Sequence, residues 1–144
     1  LKITVLAIGR NRDAELERLI ERYRQRCPWT LAIVELVPRR GESESDRLAR
    51  AIPPGDVVVA LDERGTLATS EELAALLGGW RDDGRDLSFL IGGADGLDPS
   101  LCRRAEWQLA LGRLTWPHML ARLMLVEQLY RASTILAGHP YHRA

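Results

Sequence analysis

Three short segments hold the residue types from which a ligand site is built. Gly92-Gly93-Ala94-Asp95-Gly96-Leu97 puts three glycines into six residues directly behind an apolar run. Glycines there let backbone amides approach a ligand closely or take positive φ. The G-G-x-x-G spacing misses the dinucleotide fingerprint, and no Gly-Lys-Ser/Thr exists to make a phosphate loop. Taken alone, such a turn is more often a tight connection than a cofactor site. The second segment, Gly112-Arg113-Leu114-Thr115-Trp116-Pro117-His118, reads as a strand-like piece interrupted by proline ahead of a long helical pattern. Pro117 has no N–H to donate and biases Trp116 toward an extended conformation, which leaves His118 beside the helix start. A neutral histidine placed there could accept a proton. The third segment, Gly138-His139-Pro140-Tyr141-His142-Arg143-Ala144, offers donors for phosphate and an aromatic ring for stacking. Chain ends are usually slack and frayed. The density of functional side chains favours a stiffened, working tail.

The elements that must position these segments alternate along the chain. Ile3 to Ile8 is β-branched and strand-like, and Leu16, Leu19, Ile20 and Tyr23 follow at helical spacing behind Asp13 as N-cap. Leu31 to Val37 reads as a second strand, followed by a polar loop and a short helix that Pro53-Pro54-Gly55 ends. Val57 to Leu61 and Leu87 to Ile91 are apolar strands, separated by a helix that Ser70-Glu71-Glu72 opens. This rhythm predicts an α/β fold, a mostly parallel sheet with helices on both faces, within one domain of residues 1–144. Ligands of such sheets gather beyond the carboxyl ends of the strands, so the segments just after Leu61 and Ile91 are the places to expect one. Met119 to Ala137 is the longest predicted helix, and as far as Tyr130 only Arg122, Glu127 and Gln128 are polar. A helix with so little polar surface is covered on more than one side, and a homodimer with this helix in the interface is expected.

Composition narrows the function classes. Lys and Arg number 20 against 20 Asp and Glu, so neither an acidic solvating tail nor a basic arm is present. The balance is uneven along the chain: residues 1–50 hold 11 basic and 8 acidic side chains, residues 51–100 hold 3 and 10, and residues 101–144 hold 6 and 2. An anion is expected at the last third, which also holds His118, His139 and His142. Arg103, Arg104 and Arg131, taken singly, read as solvated helix faces. Two cysteines without C-x-x-C or zinc-type spacing fit a reducing compartment and indicate no metal. The apolar opening run fails as a signal peptide, and no run reaches the ~18–20 apolar residues that span a bilayer. A cytoplasmic protein with no membrane partner is expected, and Leu1 is read as a translated alternative start codon.

Four stretches carry a resemblance: Leu90 to Leu97, Leu114 to His118, Val126-Glu127-Gln128-Leu129-Tyr130-Arg131-Ala132, and His139 to Arg143. Together they resemble the RlmH family, SPOUT-class methyltransferases that modify N3 of a pseudouridine in 23S rRNA, and the similarity runs over essentially the whole chain. The resemblance implies a C-terminal trefoil knot, a homodimer, S-adenosylmethionine (S-adenosyl-L-methionine) as cofactor, and the assembled ribosome rather than naked RNA as substrate. Carried over by position, the cofactor residues are Leu61, Gly93, Gly112, Arg113, Leu114, Thr115, Trp116 and Pro117. The substrate side is implied to hold His118, Arg122, His139, Tyr141, His142 and Arg143, the tail completing a site beside the neighbouring subunit. Trp116 and Met119 stand where relatives often carry smaller or different apolar residues. The reaction needs an imide N3–H to lose its proton, for which His118, His139 or His142 is a candidate base and Arg122 a stabiliser of the anion. Two other readings remain at this point: a SPOUT enzyme acting on tRNA, and a noncatalytic ribosome-binding or nucleotide-sensing α/β module.

Overall fold

The strands are apolar at consecutive positions because both faces of their sheet are covered. A computed structural model describes residues 1–143. Strands β1 (Lys2–Ile8), β2 (Thr30–Leu36), β3 (Val57–Leu67), β4 (Leu87–Ile91) and β5 (Trp107–Ala110) form one sheet in the order β2-β1-β4-β3-β5. Every pairing is parallel. Alternate residues point to opposite sides. Ile3, Val5, Val57, Val59, Leu87 and Phe89 pack under helices α1 (Ala14–Arg26), α3 (Ser70–Asp82) and α5 (His118–Ala137). Leu6, Ile8, Val58, Ala60 and Leu90 pack on the other side with Leu48 of α2 (Glu44–Ala51) and Leu101 of α4 (Pro99–Arg104). The expected α/β layering is therefore observed.

Helix starts follow local chemistry. Asp13, Ser43, Thr69 and Asp98 each accept a first-turn amide N–H at their helix N-termini. Helix α5 starts instead behind Pro117 without a side-chain cap and ends at Gly138, whose φ of 72° turns the chain back on the helix. The turn leads into a 3-10 helix over Pro140–Arg143. The structure corrects the sequence reading in two regions: β3 runs on past Leu61 to Leu67, and the segment before α5 differs. Gly112 to His118 is not a strand-like piece: the strand lies earlier, at Trp107–Ala110, preceded by the short α4. Both elements are too brief, at six and four residues, to display a period.

The loop between β2 and α2 is tied by Glu42. Its carboxylate accepts from Arg50 Nε (3.0 Å) and from the Arg39 amide (3.0 Å). Chiefly through Arg50, its pKa falls from 4.5 to about 2. A lowered carboxyl pKa stabilises the fold above 4.5 and loses that contribution as pH falls toward 2. Carboxyl-detected NMR is expected to place the Glu42 midpoint well below that of an ordinary glutamate, and Arg50→Ala to restore it.

Among the described residues no helix is long and apolar enough to cross a membrane, and no group of three His, Cys, Asp or Glu is placed to hold a metal. Cys27 and Cys102 are both buried and free.

Candidate cofactor cleft and tail cluster

The carboxyl ends of β3, β4 and β5 open into a cleft of about 770 Å³. Its floor is the glycine turn behind β4. Gly96 N donates to Gly93 O (3.0 Å), folding the turn on itself. A Cβ on Gly92 would lie 2.5 Å from Gly96 O, so only glycine fits there. A Cβ on Gly93 would meet the Glu44 carboxylate at 2.8 Å.

The second wall is an excursion of β3. Leu61 and Thr66 both sit opposite Leu109, so residues 62–65 bulge out of the ladder. Asp62 accepts from the Arg64 amide (2.9 Å) and pairs with its guanidinium (3.2 Å). Cys102 Sγ also donates to Asp62 (3.2 Å). Burial raises the Asp62 pKa, but the bonds from Arg64 outweigh it and the carboxyl stays below its ordinary value. Burial, then Asp62, pushes the Cys102 thiol up to about 11. The thiol is thus a protonated donor at neutral pH, unsuited to nucleophilic work.

The third wall is the β5–α5 connection. Trp116 Nε1 donates to Leu111 O (3.2 Å), and Thr115 Oγ1 donates to Glu63 Oε2 (3.0 Å), joining this wall to the excursion. Seven of the eight residues expected at the cofactor line the cleft: Leu61, Gly93, Gly112, Leu114, Thr115, Trp116 and Pro117, with His118 beside them. Arg113 is exposed and does not line it. Asp62, Glu63 and Asp95 also line the walls and were missed, because isolated acids in polar stretches carry no spacing signal.

Arg122 differs from expectation. Its side chain is 1% exposed, so it presents no free cation to RNA. Its Nη1 donates to Glu35 Oε2 (2.5 Å) and its Nη2 to Gly9 O (3.3 Å). Glu35 also accepts from the Asn11 amide (2.6 Å). Burial raises the Glu35 pKa, and the Asn11 and Arg122 bonds bring it below the usual carboxylate value. Gly9 has φ 91°, and a Cβ there would lie 3.8 Å from Met119 Cε and 4.0 Å from His118 Nε2. Arg122 is therefore a brace that ties the ends of β1 and β2 to the first turns of α5, where His118 sits.

The tail gathers a second cluster. Tyr141 OH donates to Glu127 Oε1 (2.9 Å), which also accepts from Arg131 Nη2 (2.7 Å). The Arg131 guanidinium lies 4.9 Å from the centre of the Tyr141 ring, and the Tyr130 ring is 4.6 Å away. Burial, then Glu127, raises the Tyr141 phenol well above its usual value, so it stays a donor. His142 Nδ1 is buried and has no hydrogen-bond partner among the described residues. His139 accepts from the Tyr141 amide (3.1 Å) through Nδ1, and Arg143 is exposed. Arg131, taken singly as helix solvation, belongs to this cluster; its i,i+4 spacing from Glu127 was the available signal. Glu127 stands nine residues along α5 from His118, about 14 Å at helical rise. The tail residues are thus brought together with one another and not with His118 of the same chain.

The fold that carries this cleft has counterparts among known proteins. The chain belongs to the SPOUT methyltransferase family: the family model described as "Predicted SPOUT methyltransferase" matches residues 1–142. Within it, the chain is 51% identical over 152 residues to the Ribosomal RNA large subunit methyltransferase H of Rhodospirillum centenum, covering 100% of both chains. The protein of that name from Dinoroseobacter shibae is 50% identical over 155 residues, covering 99% of both. The resemblance read from the four stretches is borne out. Among solved structures, a probable methylase family protein from Haemophilus influenzae superposes with a TM-score of 0.64 at 11% identity, over 96% of this chain and 69% of that one. The SpoU methyltransferase AviRb from Streptomyces viridochromogenes, solved in complex with the cofactor AdoMet, gives 0.50 at 16% identity, over 90% and 57%. At such identities these two show a shared fold.

Proposed function

We propose that the chain is an S-adenosylmethionine-dependent methyltransferase of large-subunit ribosomal RNA. Its target is N3 of a pseudouridine in 23S rRNA within the assembled ribosome. The observation that carries this reading is the 770 Å³ cleft, a size suited to a nucleoside-bearing cofactor, lined where the family resemblance places cofactor residues. The glycine floor leaves no room for a Cβ at position 92, so backbone groups can approach a ligand there. Asp62, Glu63 and Asp95 line the cleft against one arginine, Arg64, which pairs with Asp62, and the negative balance suits a cationic ligand. The backbone of Leu61, Gly93 and residues 112–117 would hold the cofactor, which supplies an electrophilic methyl on a sulfonium. The chain's own task is alignment and control of one proton. His118 on the cleft and His139 and His142 in the tail are the candidate acceptors, and Arg122 acts by bracing the helix that carries His118.

The reading includes the trefoil knot of the family and a homodimer. Beside α5 lies an apolar groove of about 530 Å³, lined by Leu19, Leu67, Leu111, Leu123 and Met124. Leu109, Leu111 and Gly112 border both the groove and the cleft. The tail cluster is anchored at Glu127, about 9 Å along α5 beyond the cleft residue Ala121, and can serve a cleft across a two-fold interface. The neutral total charge supports recognition of an assembled particle over a general pull on phosphates.

Titration calorimetry with S-adenosylmethionine is expected to show binding. Ribosomes lacking the mark should gain one methyl, located on a pseudouridine by nucleoside mass analysis, and light scattering should give twice the chain mass. Absence of binding heat would favour the noncatalytic module; methyl incorporation into tRNA instead would favour the tRNA enzyme.

A further inference from the structure

The described residues hold a group of cations that neither the cleft nor the tail uses. Strands β1 and β2 end side by side, with Ile8 opposite Leu36 and Gly9 N donating to Leu36 O (2.9 Å). The loops that leave them, residues 9–13 and 37–43, hold four arginines, Arg10, Arg12, Arg39 and Arg40, against two acids, Asp13 and Glu42. All four arginines are exposed. None is in an ion pair among the described residues.

The acids nearby are already engaged. Glu35 is held by Arg122 and Asn11, Glu42 by Arg50, Asp13 caps α1, and Glu17 accepts from Asn11. Of these acids only Glu35 and Glu42 are offset by another arginine, so four arginines without an ion pair among the described residues stand against the charges of Asp13 and Glu17, a local excess of positive charge. It also adjoins the cleft. Gly9 lies against His118, a cleft residue, and Ala7 pairs with Ile91, the residue before the glycine floor. The acids of the cleft, Asp62, Glu63 and Asp95, lie on the β3 excursion and in the turn after β4, while the arginine loops leave β1 and β2, so a polyanion is drawn to the β1–β2 side of the cleft.

We propose that Arg10, Arg12, Arg39 and Arg40 form a phosphate-binding rim that seats the ribosomal RNA backbone beside the cleft. This rests on the rRNA methyltransferase reading above and assigns part of its substrate surface to the first third of the chain, away from the tail. Each phosphate neutralised releases counterions, with a salt slope of roughly 0.7–0.9 per contact. The four arginines are exposed, so removing them leaves the packed core untouched.

The test compares wild type with the variant Arg10→Ala, Arg12→Ala, Arg39→Ala, Arg40→Ala, and with a control that replaces Arg22, Arg26, Arg103 and Arg104, arginines outside the two loops. Ribosomes lacking the mark serve as probe, across a salt series. The rim variant is expected to bind S-adenosylmethionine as wild type does. Its KM for ribosomes should rise at least ~10-fold, and its log–log salt slope should shrink by about 3, the slope of four lost contacts. The control should change neither. A second variant, Arg39→Glu with Arg40→Glu, lies in one loop and should show the same direction if the fourfold variant folds poorly. Unchanged ribosome affinity in the variants, or an equal fall in the control, overturns the rim while leaving the methyltransferase reading intact. A wild type that neither binds the cofactor nor methylates ribosomes overturns both.

Discussion

Glu35→Ala is expected to cost about 3–5 kcal/mol of folding stability, the range for breaking a buried ion pair by removing one member. The cost arises on the other partner. Arg122 is 1% exposed, and its Nε already lacks a hydrogen-bond partner among the described residues. Without Glu35 only Gly9 O remains to it. The Glu35 side chain is 35% exposed, so water reaches its place and the lower end of the range is expected. Chemical denaturation measures the loss directly. The double variant Glu35→Ala with Arg122→Met should recover much of it, since an apolar side chain suits that site better than an unpaired cation. Equal stability of the single and double variants would show that the guanidinium is not stranded. The brace also sets where His118 stands, so catalytic rate should fall in the double variant even as stability returns.

Gly92→Val is the substitution expected to damage the cleft most, lowering S-adenosylmethionine affinity by on the order of 100-fold, about 2.8 kcal/mol at 1.4 kcal/mol per tenfold. The new Cβ would stand 2.5 Å from Gly96 O and 2.6 Å from Gly96 C, both backbone atoms of the turn that forms the floor. Backbone cannot swing aside as a side chain can, so the turn itself must move. Gly93→Ala makes the contrast. Its clash is with the Glu44 carboxylate, the end of a flexible side chain, so the loss should be several-fold smaller and Glu44→Ala should relieve it. Calorimetry on the three variants separates the cases, and equal affinities at positions 92 and 93 would count against the floor as described.

Much of this layout was readable from residue order, for reasons that differ by element. Long strands buried on both faces declare themselves as unbroken apolar runs, so β1 and β4 were placed within a residue of their ends. Asp13 announced α1 because a cap is a local interaction. The strand β5 and helix α4 escaped because their stability comes from neighbours in space: β5 pairs along β3, and Leu101 of α4 is buried with Val58 and Leu97. The cleft was found through its glycines. Its acids were not, since their placement depends on the excursion of β3, which no alternation pattern foretells. Arg122 looked like a free cation on an apolar helix. Only the fold brings Glu35, 87 residues away, to meet it.

That excursion has a mechanical meaning. Residues 62–65 leave and rejoin the same strand, with Leu109 as partner on either side, so they are clamped at both ends and travel only if the whole sheet does. The opposing stretch, 111–117, has no ladder to hold it: Trp116 to Leu111 folds it on itself, and Thr115 to Glu63 ties it to the excursion. The pocket thus has one jaw built into the sheet and one held across by a single side-chain bond, so admission or escape of a small molecule is expected to follow how often that bond lets go.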